Sequence, residues 1–368
     1  MGLYISINNF NFYYYSSMKY IIRLQEIVNM KNIILITSVG GLVSPGIIEN
    51  LRSYNEFFII GVDANSNAVG FKFVDKFYKV PIGNDPNYIE FILDICIKNK
   101  VNVVIPCSDE ECLSFSRSKD KFEKENIKIL GPSYDSVLNS LDKGNMLYYL
   151  KKNNFEVPEF YLPQNINQVN DILKKLHYPD NNVVVKPRIG RGSRGFRILD
   201  EKSNILEGRD VNKIKYSYFI DSLNQYTVFP NIVVMEYLPG EDYSVDVLAQ
   251  NGKMIYCIVR KRIKTLGGPS QVSKVVNDCE IKNIIINIVE IFNFDNIVNI
   301  QLKCSNKNKP LVYEINPRVS GTITVCKESG IDILYYGIKK LLGYDIELNK
   351  ICKEVHMVRY FKELYIYD

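Results

Sequence analysis

Residues 299–316 read NIQLKCSNKNKPLVYEIN, which is two apolar strand patterns separated by a polar turn. This arrangement predicts a β-hairpin. A register that pairs residue 303 with residue 312 also pairs Gln301 with Glu314 across the two strands. The hairpin therefore places an amide side chain next to a carboxylate.

The side chains of this hairpin are those of a site for a hard cation. Because side chains alternate along a strand, Glu314 and Asn316 share one face with Gln301. Carboxylate and amide oxygens suit Mg²⁺ that bridges phosphate oxygens, and they do not suit zinc or iron. Arg318 follows and is expected beside the metal. A polar hairpin at a sheet edge would show the same residues without a metal.

Upstream of the hairpin, strand patterns alternate with helix patterns. Apolar runs predict buried parallel strands, and Ser44-Pro45 between the first two suits the start of a helix. A doubly wound, Rossmann-like sheet is therefore expected over residues 30–131. The apolar runs are Ile33–Val39, Phe57–Val62, Val101–Pro106 and Ile127–Leu130.

The second half of the chain has a different pattern. A helix is predicted at Lys143–Lys152, and antiparallel strands within Ile232–Arg262 turn at Asn251-Gly252. A single closing helix is predicted over Thr324–Leu342. Antiparallel sheets are therefore expected after the parallel one.

A glycine-rich loop follows the strand that ends at Lys186. Its residues 190–195 read GRGSRG, but a strand pattern comes next, whereas a dinucleotide-binding fingerprint needs a helix there. The remaining interpretation is a hairpin loop whose amides fold over phosphate, with Lys186 meeting the same anion. A loop and an edge lysine that both face solvent would have the same sequence.

A second strand ends in the sequence EYLPGE, residues 236–241. A break between two groups of strands suits an adenine, whose edge pairs with backbone atoms while an acid accepts the ribose hydroxyls. An ordinary turn with surface acids is the alternative.

Composition excludes several classes of function. The chain has 368 residues, a net charge of +5, two histidines and eight cysteines without CxxC spacing. These features argue against nucleic-acid binding, a His-based triad, zinc ribbons and disulfides. We find no signal peptide or membrane-length apolar run, so we expect a cytoplasmic protein with reduced thiols. Cys107 and Cys112 are expected to be structural.

Five segments in order resemble the ATP-grasp superfamily, most of all the synthetase domains of the carbamoyl-phosphate synthase large subunit. They read SLDKGNMLYYL, VVVKPRIGRGSRGF, VMEYLPGEDYSVDV, NIQLK and YEINPRVSGT. The resemblance implies an α/β and α+β fold, with a Rossmann-like pre-ATP-grasp domain before a two-lobed ATP-grasp domain that has antiparallel sheets. The expected divisions are an extension at 1–29, possibly not structural, the two domains at 30–131 and 132–345, and a C-terminal segment at 346–368 packing on the second domain.

The resemblance also implies roles for individual residues. ATP and Mg²⁺, or Mn²⁺, are the expected cofactors. The magnesium ligands would be Gln301, Glu314 and Asn316, and the catalytic residues Arg318 and Lys186. The ATP-binding residues would be Lys143 and Lys186 on phosphates, Gly190, Gly192, Ser193 and Gly195 in the covering loop, Glu236 and Leu238 at adenine, and Glu241 at ribose.

The implied activity is that of an ATP-dependent ligase joining a small carboxylate to an amine through an acyl phosphate. The chain has a single ATP-grasp unit, which argues against synthesis of carbamoyl phosphate itself. A non-catalytic nucleotide-binding module and a carboxyphosphate-forming enzyme remain alternatives, and a homodimer is left open. The acceptor pocket would draw on Tyr243, Arg260, Arg262 and Ser270.

The glycine-rich loop generates a first prediction. Because its two arginines repel each other when no anion lies between them, trypsin should cut after Arg191 or Arg194 in the free protein. A non-hydrolysable ATP analogue with Mg²⁺ should protect both bonds by closing the loop. Equal cleavage rates with and without the analogue would favour the solvent-loop interpretation.

Overall fold

The computed structural model describes residues 31–190, 194–203, 212–265, 268–348 and 352–365. The predicted extension at 1–29 and the loop residues Gly192 and Ser193 lie outside these residues. Within them the strands form three sheets. No helix in this part of the chain is long and apolar enough to cross a bilayer.

The first sheet is parallel and has the order β3-β2-β1-β4-β5, which confirms the Rossmann-like prediction. Its central strands are buried, whereas the edge strand β3 is mostly exposed and reads KFYK. That polar sequence gave no strand signal. The elements are β1 (Asn32–Ile36), α1 (Ser44–Arg52), β2 (Phe57–Asp63), β3 (Lys76–Lys79), α2 (Tyr88–Asn99), β4 (Val103–Ile105), α3 (Asp109–Arg117), α4 (Lys119–Lys124) and β5 (Lys128–Ile129).

The second sheet has the order β6-β10-β7-β8-β9. β7 and β8 are antiparallel and flank the glycine-rich loop, as predicted. β10 pairs with β7 in this sheet, whereas β11 (Asp242–Gln250) belongs to the third sheet, so the break after Glu236 separates two groups of antiparallel strands, as predicted. The elements from residue 134 are α5 (Tyr134–Leu141), α6 (Lys143–Lys152), β6 (Phe160–Tyr161), α7 (Ile166–Lys175), β7 (Val183–Pro187), β8 (Arg197–Leu199), β9 (Lys213–Ile214), α8 (Tyr216–Leu223) and β10 (Ile232–Glu236).

The third sheet is antiparallel, in the order β15-β14-β11-β12-β13-β16. Asn251 and Gly252 both have positive φ, 49° and 72°, as a tight hairpin turn between β11 and β12 requires. The last strand, β16, joins the edge of β13. The elements are β11 (Asp242–Gln250), β12 (Lys253–Thr265), β13 (Ser270–Val276), α9 (Cys279–Ile291), β14 (Asn296–Cys304), β15 (Pro310–Asn316) and β16 (His356–Val358).

The hairpin of β14 and β15 pairs Gln301 with Glu314, as predicted. Residue 303, however, pairs with Leu311 and not with residue 312, because a β-bulge interrupts the register. Tyr313 is the extra residue of this bulge. The predicted register is therefore correct for the pair of Gln301 and Glu314 and wrong by one residue between the bulge and the turn.

The predicted closing helix is two helices, α10 (Val325–Glu328) and α11 (Ile333–Leu341). Gly330 separates them with φ of 103°, which L-residues rarely adopt. Asp332 then caps α11 by accepting from the amides of Leu334 and Tyr335. Its other oxygen, Oδ2, accepts from Asn50 at 2.8 Å on the first domain. The cap thus ties α11 to the parallel sheet.

This double role predicts a large effect of Asp332→Ala. The change removes a cap and leaves buried Asn50 without its carboxylate, so we expect a loss of about 2–4 kcal/mol in unfolding free energy. Asp278→Ala is the matched control, because Asp278 caps α9 through a single amide, that of Ile281. It should cost about 1 kcal/mol in urea unfolding. Equal losses would contradict the cross-domain role of Asp332.

Candidate active site

A cleft of about 1050 Å³ lies where the carboxyl ends of the parallel strands face the other two sheets. Its lining includes residues from all three sheets. The predicted site residues that line it are Lys143, Lys186, Gly190, Glu236, Leu238, Gln301, Glu314, Asn316 and Arg318.

Lys143 enters the cleft from the first turn of α6. The preceding residue, Asp142, caps this helix by accepting from the amide of Asn145 at 3.1 Å. Asp142 also pairs with Arg188, which lies just before the glycine-rich loop. Lys143 Nζ then lies 3.4 Å from Glu314 Oε1. These ion pairs connect the start of α6 to the residue before the glycine-rich loop and to β15.

Glu314 is a carboxylate enclosed by cations. Burial alone would raise its pKa, but nearby positive charges outweigh burial and hold the pKa below its ordinary value. Glu314 is therefore ionised at neutral pH. The cations are Lys143, Lys186, Arg262 and Arg318.

Lys186 lies near the end of β7 and lines the cleft. Desolvation lowers the pKa of Lys186 to about 8, only partly offset by the charge of Glu314. Its Nζ lies 4.1 Å from the centroid of the Tyr313 ring. An anionic ligand in the cleft would favour the charged form of this lysine.

The oxygen donors of the hairpin fit a small hard cation, but not all three are equally available. Glu314 offers a carboxylate, and Asn316 Oδ1 accepts only from Arg318 among the described residues, at 3.1 Å. Gln301 Oε1 already lies 2.8 Å from the Tyr313 hydroxyl and 3.2 Å from Arg262 Nη1. These contacts engage both of its lone pairs. Glu314 and Asn316 therefore fit Mg²⁺. Gln301 could bind the ion only after its side-chain oxygen had left Tyr313 and Arg262.

Tyr313 was missed by the sequence analysis. The bulge lets its hydroxyl reach the cleft, where it accepts from Arg262 Nη1 at 2.8 Å and lies 3.1 Å from Asp242 Oδ1. A regular alternation, which sequence patterns assume, would have pointed this residue into the core.

Glu241, the predicted ribose acid, is not among the residues that line the cleft. Its carboxylate turns away from the cleft and pairs with Lys261 and the Tyr243 hydroxyl. The next residue, Asp242, lines the cleft and lies 3.3 Å from Arg262 Nη1. Successive residues of a strand face opposite sides, so only one of the two acids can face the ligand.

Only some of the residues predicted for the acceptor pocket line the cleft. Arg262 and Ser270 line the cleft, whereas Tyr243 and Arg260 do not. Arg260 is fully buried and pairs with the equally buried Asp246 beneath the cleft floor. Its role is structural support of that floor.

The part of the cleft lined by the second sheet and residues 236–238, where adenine was predicted, has several apolar walls. Leu238 is 4% exposed and lines the cleft there, whereas Glu236 Oε1 is engaged by the amide of Glu159 at 2.8 Å. Backbone atoms of residues 236–238, more than the Glu236 carboxylate, are therefore suited to a base edge. Its apolar walls are Val184, Ile198, Met235 and Leu238.

Gly195 does not line the cleft. It has φ of 74°, and a Cβ there would come within 2.7 Å of Pro187 Cγ. The glycine is thus required by the path of the backbone.

Arg318 lines the cleft next to α3 of the first domain. Its Nε and Nη2 donate to Asp109 Oδ1 and Oδ2 at 2.7 and 2.9 Å. Burial raises the pKa of nearby Cys107 to about 12 and that of Cys112 well above its ordinary value. Neither cysteine is a thiolate nucleophile at neutral pH.

Comparisons with known proteins agree with this architecture. Residues 34–130 match the family "PylC-like, N-terminal domain", and residues 228–364 match "ATP-grasp in the biosynthetic pathway with Ter operon". The carbamoyl phosphate synthase large chain of Clostridium acetobutylicum is 22% identical over 92% of this chain and 32% of its own length. The chain thus spans about a third of the curated relatives that it matches.

Solved structures share the fold at low sequence identity. N5-carboxyaminoimidazole synthetase from Staphylococcus aureus, complexed with ADP, has a TM-score of 0.67 and 14% identity over 89% of this chain and 82% of its own. The L-amino acid ligase from Bacillus licheniformis has a TM-score of 0.61 and 15% identity over 85% and 74%. The chain is therefore similar to PylC-like N-terminal domains over residues 34–130 and to ATP-grasp domains over residues 228–364, and it shares its fold with ATP-grasp ligases of known structure.

Proposed function

We propose that the chain is an ATP-dependent ligase that joins a small carboxylate to an amine through an acyl phosphate. The observation that carries this proposal is the ionised Glu314 enclosed by four cations in a cleft that has apolar walls where adenine was predicted. Such a site suits a nucleotide with its phosphates and a divalent cation. The likeness to an L-amino acid ligase and to other synthetases supports the reaction class.

The reaction proceeds in two transfers. A carboxylate oxygen attacks the γ-phosphorus of ATP, ADP leaves, and the resulting acyl phosphate is a good electrophile. A neutral amine then attacks the acyl carbon, inorganic phosphate leaves with the bond electrons, and the nitrogen loses a proton. Neither transfer needs a side-chain nucleophile, so positioning and charge neutralisation are what the protein supplies.

The chain's own residues would divide this work. Lys143 and Lys186 hold the phosphates, and Asp242 takes the ribose role first expected of Glu241. Arg318 faces the charge that develops on the acyl phosphate. A bound Mg²⁺ or Mn²⁺, held by Glu314 and Asn316, would neutralise charge between the β- and γ-phosphates.

A carboxyphosphate-forming reaction is the second candidate, because the curated relatives are carbamoyl phosphate synthase large chains. ADP release that needs only bicarbonate would favour it, whereas release that needs both an organic carboxylate and an amine supports the ligase. If neither bicarbonate nor an organic carboxylate with an amine stimulated ADP release, the chain would be a non-catalytic nucleotide-binding module. We place the protein in the cytoplasm, acting on small molecules and not on nucleic acid or membranes, as a monomer or homodimer.

Glu314→Ala tests the metal-dependent step. Removing the carboxylate leaves four cations without it, so metal-free ATP should bind at least as tightly as to the wild type. Turnover should fall by about 10²-fold or more, because the divalent ion loses its anionic ligand. Calorimetry with ATP, with and without Mg²⁺, and ADP release measure the two effects. Turnover at the wild-type rate would refute the assignment.

The two neighbouring acids of β11 give a matched pair of variants. Asp242→Asn should weaken MgATP binding about tenfold, roughly 1.4 kcal/mol, because Asp242 faces the cleft. Glu241→Gln should leave the affinity unchanged, because that side chain faces Lys261 on the opposite side. Calorimetric titration of both variants measures the difference. The reverse pattern would restore Glu241 as the ribose acid.

A further inference from the structure

Arg318 and Asp109 form an ion pair between the segment that follows β15 and helix α3, which packs in the region of the parallel sheet. Asp109 lies in the first turn of α3 and is 3% exposed, and Arg318 directly follows the metal-type hairpin. The guanidinium approaches both carboxylate oxygens, at 2.7 and 2.9 Å. This bidentate geometry is the strongest form of the interaction, and it fixes the plane of the guanidinium.

The remaining contacts of Arg318 come from its own segment. Nη1 donates to the carbonyl of Val319 at 3.0 Å, and Nη2 donates to Asn316 Oδ1 at 3.1 Å. Within the described residues, four of the five guanidinium N–H groups are thereby engaged. One Nη1 N–H is left for a ligand in the cleft. Asp109 accepts two of these four hydrogen bonds, and it is the partner that lies outside the segment of Arg318 itself.

We propose that Asp109 is a positioning residue that sets the orientation of Arg318 for the transfer of the phosphoryl and acyl groups. The proposal rests on the proposed function of Arg318. It gives the parallel sheet a direct part in the chemistry, since α3 supplies the acid that aims the arginine. A carboxylate there also limits the positive charge that Arg318 adds to the cleft.

Asp109→Asn tests the proposal, because the amide keeps the size of the side chain and removes its charge. We expect the kcat for ADP release to fall about 10²-fold, while the KM for ATP stays within about threefold. Arg318→Lys should cause a similar loss, and the double variant should be no worse than either single variant. Asp109→Glu should recover part of kcat.

Asp120→Asn is the matched control, since it removes an exposed first-turn acid from the neighbouring helix α4. It should behave as the wild type, and thermal unfolding of all variants reports loss of fold. Wild-type kcat in Asp109→Asn, or losses that multiply in the double variant, would overturn the proposal.

A crystal structure of the Asp109→Asn variant tests, without any substrate, whether Asp109 orients Arg318. The proposal requires the Arg318 guanidinium to leave its position, and an unchanged guanidinium would overturn it. If the wild type released no ADP with any pair of substrates, the proposed function would fail, and this structure would still decide whether Asp109 orients Arg318.

Discussion

The electrostatic balance around Glu314 is the constraint on which the cleft depends. Four cations converge on this carboxylate, two of them lysines and two arginines. Without it they would repel one another in a site where water screens poorly. Glu314 therefore balances the charge of the site, and under the proposed function a polyphosphate with its metal would share that role. An anionic ligand would favour the charged form of Lys186, whose pKa is lowered by burial.

The parts of the fold with strong local patterns could be predicted from the sequence. The parallel strands were evident as apolar runs, and the partnership of Gln301 with Glu314 followed from alternation and a polar turn. The break before α11 was missed, although the polar residues 327–330 end in a glycine, which commonly follows a helix, and Asp332 is a common N-cap residue. Asp332, which starts the second helix, depends on partners far away in the sequence.

The differences between the predicted and the observed lining of the cleft have equally specific causes. Glu241 and Asp242 are neighbours, and which one faces the cleft depends on the residue at which β11 begins. The preceding Pro239-Gly240 break hides that residue in the sequence pattern. The pairing of Arg318 with Asp109 joins positions 209 residues apart, so a single sequence carries no sign of it. Local chemistry thus predicted the types of residue at the candidate site, and tertiary structure determines which of them line the cleft.

The bulge at Tyr313 has a consequence for how this hairpin can change over time. Leu302 pairs with Val312 on one side of the extra residue, and Gln301 pairs with Glu314 on the other. A regular ladder would need no residue between these two pairs. Loss of this single residue would therefore leave the carboxylate opposite the same amide, and would remove the hydroxyl that contacts Asp242, Arg262 and Gln301 together with the ring that lies against Lys186. Insertion or deletion of this one residue can therefore change the contacts of the tyrosine without changing the pairing of Glu314 with Gln301.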